Sequence, residues 1–133
     1  MPTIRITTTA NKPIDQWTNR DILHYYSERL CSSYGATLRI PSNVALRAFQ
    51  GKVKGFRNKL HLSNAQYKAF IDDVFDLLFE GHGYIPNFGA IISERVYNII
   101  SQIHRHGDRE ELHDIYTNKE LARPSSEEMK HVI

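Results

Sequence analysis

Apolar residues recur at helical spacing in four stretches of the chain, and each stretch has its own start and stop signals. In the first, residues 18–34, the repeating positions are Ile22, Leu23, Tyr26, Leu30 and Tyr34. Thr18 is suited to cap this helix, with the Asp21 carboxylate three residues on, and Gly35 to end it in the left-handed conformation. The pattern therefore predicts a helix bounded by Thr18 and Gly35.

The second stretch, residues 42–60, predicts an amphipathic helix capped by Ser42. On a helical wheel its apolar positions share one arc: Ala45, Leu46, Phe49, Val53, Phe56 and Leu60. Gly51 and Gly55 lie on the polar side, where each destabilises a helix by about 1 kcal/mol relative to Ala. Two glycines indicate either a break near Gly51 or a need for another backbone to approach closely.

Two further helices follow in the second half of the chain. Ser63 and Gln66 form a capping box for a helix over residues 62–80, and Asn87 is suited to cap a helix over residues 87–106. The third helix repeats Tyr67, Phe70, Ile71, Val74, Phe75 and Leu78, and the fourth repeats Ile91, Ile92, Val96, Ile99, Ile100 and Ile103. Glycines follow both helices.

These elements predict an all-α, four-helix single domain over residues 17–106. We expect a flexible N-terminal arm, residues 1–16, and a polar, acidic C-terminal tail, residues 107–133, that is either mobile or draped over the core. Trp17, just before the Thr18 cap, is expected to be a buried anchor that packs on Ile22. With 41% hydrophobic residues, the chain can form a globular core.

Composition excludes several classes of protein. No apolar run approaches the roughly 18 residues needed to span a bilayer, and the N-terminus lacks the apolar stretch of a signal peptide. Cys31 is the only cysteine, so the chain can form neither an internal disulfide nor a paired-cysteine zinc site. We therefore expect a cytoplasmic protein that does not bind a membrane.

Charge is divided sharply along the chain. Residues 29–71 contain eight Lys and Arg residues and no Asp or Glu. Lys and Arg that neutralise phosphates release counterions, which drives sequence-independent binding to nucleic acid. The residues expected to bind nucleic acid are Arg39, Arg47, Lys52, Lys54, Arg57, Lys59 and Lys68. The competing interpretation is a solvated helix face, partly balanced by the acidic helix that follows it.

Three more specific functions are weaker alternatives. A helix-turn-helix with Gly51 in the turn is conceivable, although its first helix would be short. Four of the five histidines in the second half of the chain are candidate metal ligands, but a metal site needs three or four ligands that converge. The four are His82, His104, His106 and His113. Three aspartates on one predicted helix suggest a metal-dependent nuclease: Asp72, Asp73 and Asp76. The competing interpretation is that they form a solvent-exposed acidic stripe on that helix.

No catalytic residue, metal site or cofactor is predicted. Cys31 falls within the first helix beside Leu30, where burial is the expected state of a free cysteine. The absence of any catalytic signature near the basic stretch indicates that the protein is not an enzyme.

Residues 17–100 combine several aromatic, acidic and turn positions in one order: Trp17, Asp21, Tyr25, Tyr26, Tyr34-Gly35, the basic helix, Ile71-Asp72-Asp73-Val74-Phe75, Pro86-x-x-x-Ala90 and Asn98. With these residues the stretch resembles a small domain of phage replication and helicase-loader-like accessory proteins. The resemblance implies a small, mostly helical phage module that works near DNA or a replisome in the bacterial host cell. It carries over no catalytic residue.

The expected function is that of a non-enzymatic, phage-encoded accessory module that binds nucleic acid, foremost DNA, through the basic helix face. The alternative is a protein-interaction module that binds a host or phage protein complex. It would redirect or inhibit a host replication, transcription or defence machine, using exposed aromatic residues and the acidic tail.

Overall fold

The computed structural model describes residues 12–107 and 112–125, and these are predominantly helical. The α-helices and strands are α1 (Asn19–Tyr34), α2 (Asn43–Leu60), α3 (Asn64–Asp73), β1 (Tyr84–Pro86), α4 (Glu94–His106), α5 (Leu112–Thr117) and β2 (Ala122–Pro124). The predicted all-α class is confirmed. The chain forms two compact units, Met1–Lys68 and Ala69–Ile133, and the boundary between them falls within α3.

Helix α1 has the start and stop predicted from its sequence. The Asp21 backbone N–H donates to the Thr18 hydroxyl oxygen at 3.4 Å, and the Thr18 N–H donates to the Asp21 carboxylate at 2.8 Å. Burial, the largest influence on Asp21, would raise its pKa, but hydrogen bonds from Lys12 and Thr18 outweigh it and hold the pKa below its usual value. Gly35 ends the helix at φ +67°.

Helix α2 runs without interruption from Asn43 to Leu60. The Ser42 hydroxyl accepts the Ala45 N–H at 3.1 Å, as predicted for its cap. The apolar arc turns inward and buries three side chains: Leu46, Val53 and Phe56. Gly51 lies in the middle of the helix, so the helix-turn-helix interpretation, which placed Gly51 in a turn, is wrong.

The predicted third helix is present, but its second half is wound more loosely. The capping box of Ser63 and Gln66 forms, with hydrogen bonds of 2.8 and 3.1 Å. After α3 the chain continues as a π-helix over Val74–Phe79, in which Glu80 N–H donates to Phe75 O, five residues back. The apolar side chains of this stretch are buried: Val74, Phe75, Leu78 and Phe79.

The predicted fourth helix begins later than expected. Residues Phe88–Ile92 form a 3-10 helix, and α4 starts at Glu94 because the Ser93 hydroxyl accepts the Val96 N–H at 3.2 Å. The side chain of Asn87 makes no capping hydrogen bond. Its side chain instead donates to Lys119 O at 2.7 Å and accepts from Arg123 at 3.0 Å. The predicted cap is therefore wrong, because Asn87 bonds to a distant segment.

Part of the predicted tail belongs to the core of the second unit. Strand β2 pairs antiparallel with β1, with Ile85 opposite Arg123. Three apolar side chains of residues 112–125 are buried: Ile115, Leu121 and Ala122. Tyr116 stacks on Tyr84 with ring centres 4.6 Å apart, and its hydroxyl donates to Leu78 O. The sequence predicts a tail that is either mobile or draped over the core, and residues 112–125 follow the second alternative. Of the predicted arm, residues 1–16, the structure describes residues 12–16, which include a 3-10 helix at Ile14–Gln16. Residues 1–11 of the arm, and residues 108–111 and 126–133 of the predicted tail, lie outside the described residues.

Gly89 gives a direct test of how the tail packs. A Cβ atom added at Gly89 would lie 2.2 Å from the backbone oxygen of Glu120, whereas one added at Gly51 would meet nothing within 4 Å. We expect Gly89→Ala to lower the free energy of unfolding by about 1–3 kcal/mol through overpacking. Gly51→Ala, the control, should raise it by about 1 kcal/mol. Urea unfolding measures both, and an unchanged Gly89→Ala variant would show that the tail does not pack there.

Candidate nucleic-acid interface

The side of α2 opposite its buried residues forms an exposed surface, which we call the outer face of α2. At 100° per residue, nine residues share this surface. They are Val44, Arg47, Ala48, Gly51, Lys52, Lys54, Gly55, Asn58 and Lys59, all exposed. Val44 is 76% exposed and lies at the N-terminal end of the face.

Four cations border the outer face of α2. Arg47 and Lys54 lie along one edge, and Lys52 and Lys59 along the other. Among the residues that the structure describes, none forms a hydrogen bond or ion pair with the side chains of Arg47, Lys52 or Lys54. Their charges are therefore presented to solvent and available to an anionic partner.

Small residues occupy the middle of the outer face. Ala48, Gly51 and Gly55 follow one another along the helix, and a Cβ atom added at either glycine would meet nothing within 4 Å. Internal packing in the described structure therefore does not require glycine at these positions. Each glycine still destabilises the helix by about 1 kcal/mol relative to Ala.

Arg57, predicted to bind nucleic acid, is instead directed into the first unit. Its guanidinium donates to Asn19 Oδ1 at 3.1 Å, to Asn64 Oδ1 at 2.5 Å and to Leu62 O at 3.4 Å. Asn64 in turn donates to the backbone oxygens of Ile14 and Trp17, both at 2.9 Å. We call this set of contacts the Arg57–Asn64 hub, and it links α2 to the residues that begin α1.

Two other predicted cations also lie off the outer face of α2. Lys68 is half-buried, with its Nζ 4.8 Å from the centre of the Tyr25 ring. Arg39 is exposed on the segment that joins α1 to α2. The sequence-predicted set therefore separates into four residues on the outer face of α2, the exposed Arg39, and two residues with partners inside the first unit, Arg57 and Lys68.

Trp17 is half-buried rather than fully buried. Its indole Nε1 donates to Lys12 O at 3.0 Å, and its ring packs on Tyr25 with centres 5.5 Å apart. Its backbone oxygen also accepts from the Arg57–Asn64 hub. Trp17 thus has structural contacts, as expected of an anchor, but it is only partly buried.

The two compact units have net charges of opposite sign. Met1–Lys68 contains eleven basic and three acidic residues, a net of +8. Ala69–Ile133 contains six basic and twelve acidic residues, a net of −6. The cations on the outer face of α2 therefore belong to a unit with few acidic residues of its own.

The structure also bears on the weaker alternatives. No group of three His, Cys, Asp or Glu residues suited to a metal ion occurs within the described parts of the chain. His104 bonds to Asp73 at 2.9 Å, and the ring of His82 packs against Tyr116 at 5.5 Å. Cys31 is exposed, which corrects the expectation that it is buried.

Comparisons of the chain with protein-family models, with curated proteins and with solved structures each gave no match. No helix in the described ranges is both long enough and apolar enough to cross a membrane.

The Arg57–Asn64 hub predicts unequal effects of two cation substitutions in α2. Arg57→Gln should lower the free energy of unfolding by about 1.5–3 kcal/mol, the range for hydrogen bonds to charged groups. Lys54→Gln, the matched control on the exposed side, should change it by less than about 0.5 kcal/mol. Urea unfolding followed by circular dichroism compares them. Equal stability of the two variants would contradict a structural role for Arg57.

Proposed function

We propose that this chain is a non-enzymatic module that binds nucleic acid through the outer face of α2. The observation that carries the proposal is the arrangement of that face. Exposed cations border it on both edges, and the sequence from residue 29 to residue 71 contains no Asp or Glu to repel a polyanion. Phosphates are the ligands that such a surface attracts most strongly, because each contact releases condensed counterions.

The glycines in the middle of the face support the same function. Gly51 and Gly55 weaken an isolated helix, and nothing among the described residues packs where their side chains would be. The helix is therefore less stable than it would be with Ala, and internal packing gains nothing in return. A partner that approaches the helix backbone closely would account for the two glycines, because glycine is the residue that permits such an approach.

The strength of binding should depend steeply on salt. If the four cations of the outer face each contact one phosphate, log K should fall with log salt concentration with a slope of about −3.6. Sequence-independent binding of this kind has dissociation constants of about 10⁻⁴ to 10⁻⁶ M at physiological salt.

We further propose, from the resemblance of residues 17–100, that the module is phage-encoded and assists replication in the bacterial cytoplasm.

A protein-interaction module remains the second candidate, and two features of the second unit favour it. This unit has a net charge of −6, and it carries the packed rings of exposed His82 and half-buried Tyr84 and Tyr116. Aromatic residues are enriched in protein interfaces. A basic partner protein of the host would match this surface, and its binding would not require the cations of α2.

Replacing the cations of the outer face tests the leading proposal. The triple variant Arg47→Gln, Lys52→Gln, Lys54→Gln should lose at least roughly tenfold in affinity for DNA at about 50 mM salt and reduce the salt slope by about 2.7. Fluorescence anisotropy with labelled DNA measures both quantities. These three side chains have no described partner, so circular dichroism should show an unchanged helix content.

A matched control removes the same charge elsewhere. Arg20, Arg105 and Lys119 are also exposed, and substituting all three with Gln changes the net charge equally. This control should retain most of the affinity if the outer face of α2 is the binding site. Equal losses in the two triple variants would show that only net charge matters, and unchanged binding by the α2 variant would remove the proposal.

A further inference from the structure

The cations on the outer face of α2 form two parallel rows rather than one. At 100° per residue, Arg47 and Lys54 lie about 70° to one side of the middle of the face, and Lys52 and Lys59 about 70° to the other. The two members of each row are separated by about 10.5 Å along the helix axis. Positive charge therefore projects from both flanks of a helix whose middle strip is exposed.

We infer that the nucleic acid bound by this face is duplex DNA, with α2 lying in the major groove and each row contacting the phosphates of one strand. The inference rests on the proposed function and names the partner of the same surface. An α-helix with its side chains is about 10–12 Å across, and the major groove of B-DNA is about 12 Å wide. The minor groove, about 6 Å wide, is too narrow.

Other nucleic acids match the two rows less well. A single strand offers one phosphate backbone, so it would engage one row and leave the other in solvent. The major groove of A-form RNA is deep and narrow, and side chains on a helix cannot enter it as they enter the groove of B-DNA. Duplex DNA presents a phosphate backbone on each side of a groove of matching width.

The same geometry predicts weak sequence preference. Base reading in the major groove uses side chains with hydrogen-bonding groups, chiefly Arg, Lys, Asn and Gln, aimed at the base edges. Between the two rows α2 presents Ala48, Gly51 and Gly55, which have no such groups. Asn58 lies at the C-terminal end of this strip, so base preference should be confined to one position. The phosphate contacts therefore dominate the affinity.

Three probes of one base sequence test this inference with the full chain. They are a DNA duplex of roughly 20 base pairs, one strand of that duplex, and the corresponding RNA duplex, each titrated by fluorescence anisotropy at about 50 and 200 mM salt. The DNA duplex should bind at least roughly tenfold more tightly than either of the others. Scrambling the base sequence of the DNA duplex should change the affinity less than about threefold.

Row variants test whether both flanks are used. Arg47→Gln with Lys54→Gln, and Lys52→Gln with Lys59→Gln, should each reduce the salt slope on the DNA duplex by about 1.8. Lys52→Gln alone should reduce it by about 0.9, which keeps the second row testable if the double variant there does not fold. Circular dichroism checks the helix content of each variant.

Each outcome has a defined consequence. Tighter or equal binding of the single strand or the RNA duplex overturns groove binding, and so does an unchanged slope in either row; binding to nucleic acid would stand in these cases. Failure to bind all three probes at about 50 mM salt removes the proposed function together with this inference. A preference for the DNA duplex with slope changes in both rows supports the inference.

Discussion

The Arg57–Asn64 hub is the interaction on which the candidate interface depends. One guanidinium joins α2 to Asn19 at the start of α1 and to the Asn64 side chain, which holds the backbone of Ile14 and Trp17. A charged side chain engaged in this way cannot turn freely to solvent, so the hub reinforces the rotation of α2 that buries its apolar arc. In that rotation the remaining cations of α2 are exposed: Arg47, Lys52, Lys54 and Lys59.

Local chemistry made several boundaries predictable from the sequence. The Thr18 and Asp21 capping box, the Gly35 stop and the Ser42 cap each involve residues within a few positions of one another, and each is present in the structure. The apolar periodicity likewise identified the buried face of α2, because burial of that face follows directly from helix geometry. Of the predicted nucleic-acid-binding cations, those on α2 opposite this face were placed correctly as exposed: Arg47, Lys52, Lys54 and Lys59.

Contacts between residues distant in sequence were not predictable in this way. Asn87 has the local signature of a helix cap, but its side chain bonds to Lys119 and Arg123. Arg57 carries the same charge as Lys54, but it bonds to Asn19 and Asn64, which the tertiary structure brings beside it. The tail lacks a long apolar stripe, yet Ile115 and Leu121 are buried beside a strand pair that no local pattern indicates.

Residue-resolved NMR tests most directly whether the outer face of α2 contacts nucleic acid. We predict that adding duplex DNA to the isotopically labelled chain shifts the backbone amide signals of Ala48, Gly51 and Gly55, and that added salt reverses these shifts. Amides of β1 and β2 in the acidic unit should remain unchanged. Shifts confined to the second unit, or no shifts in α2 under conditions where DNA is bound, would contradict the account.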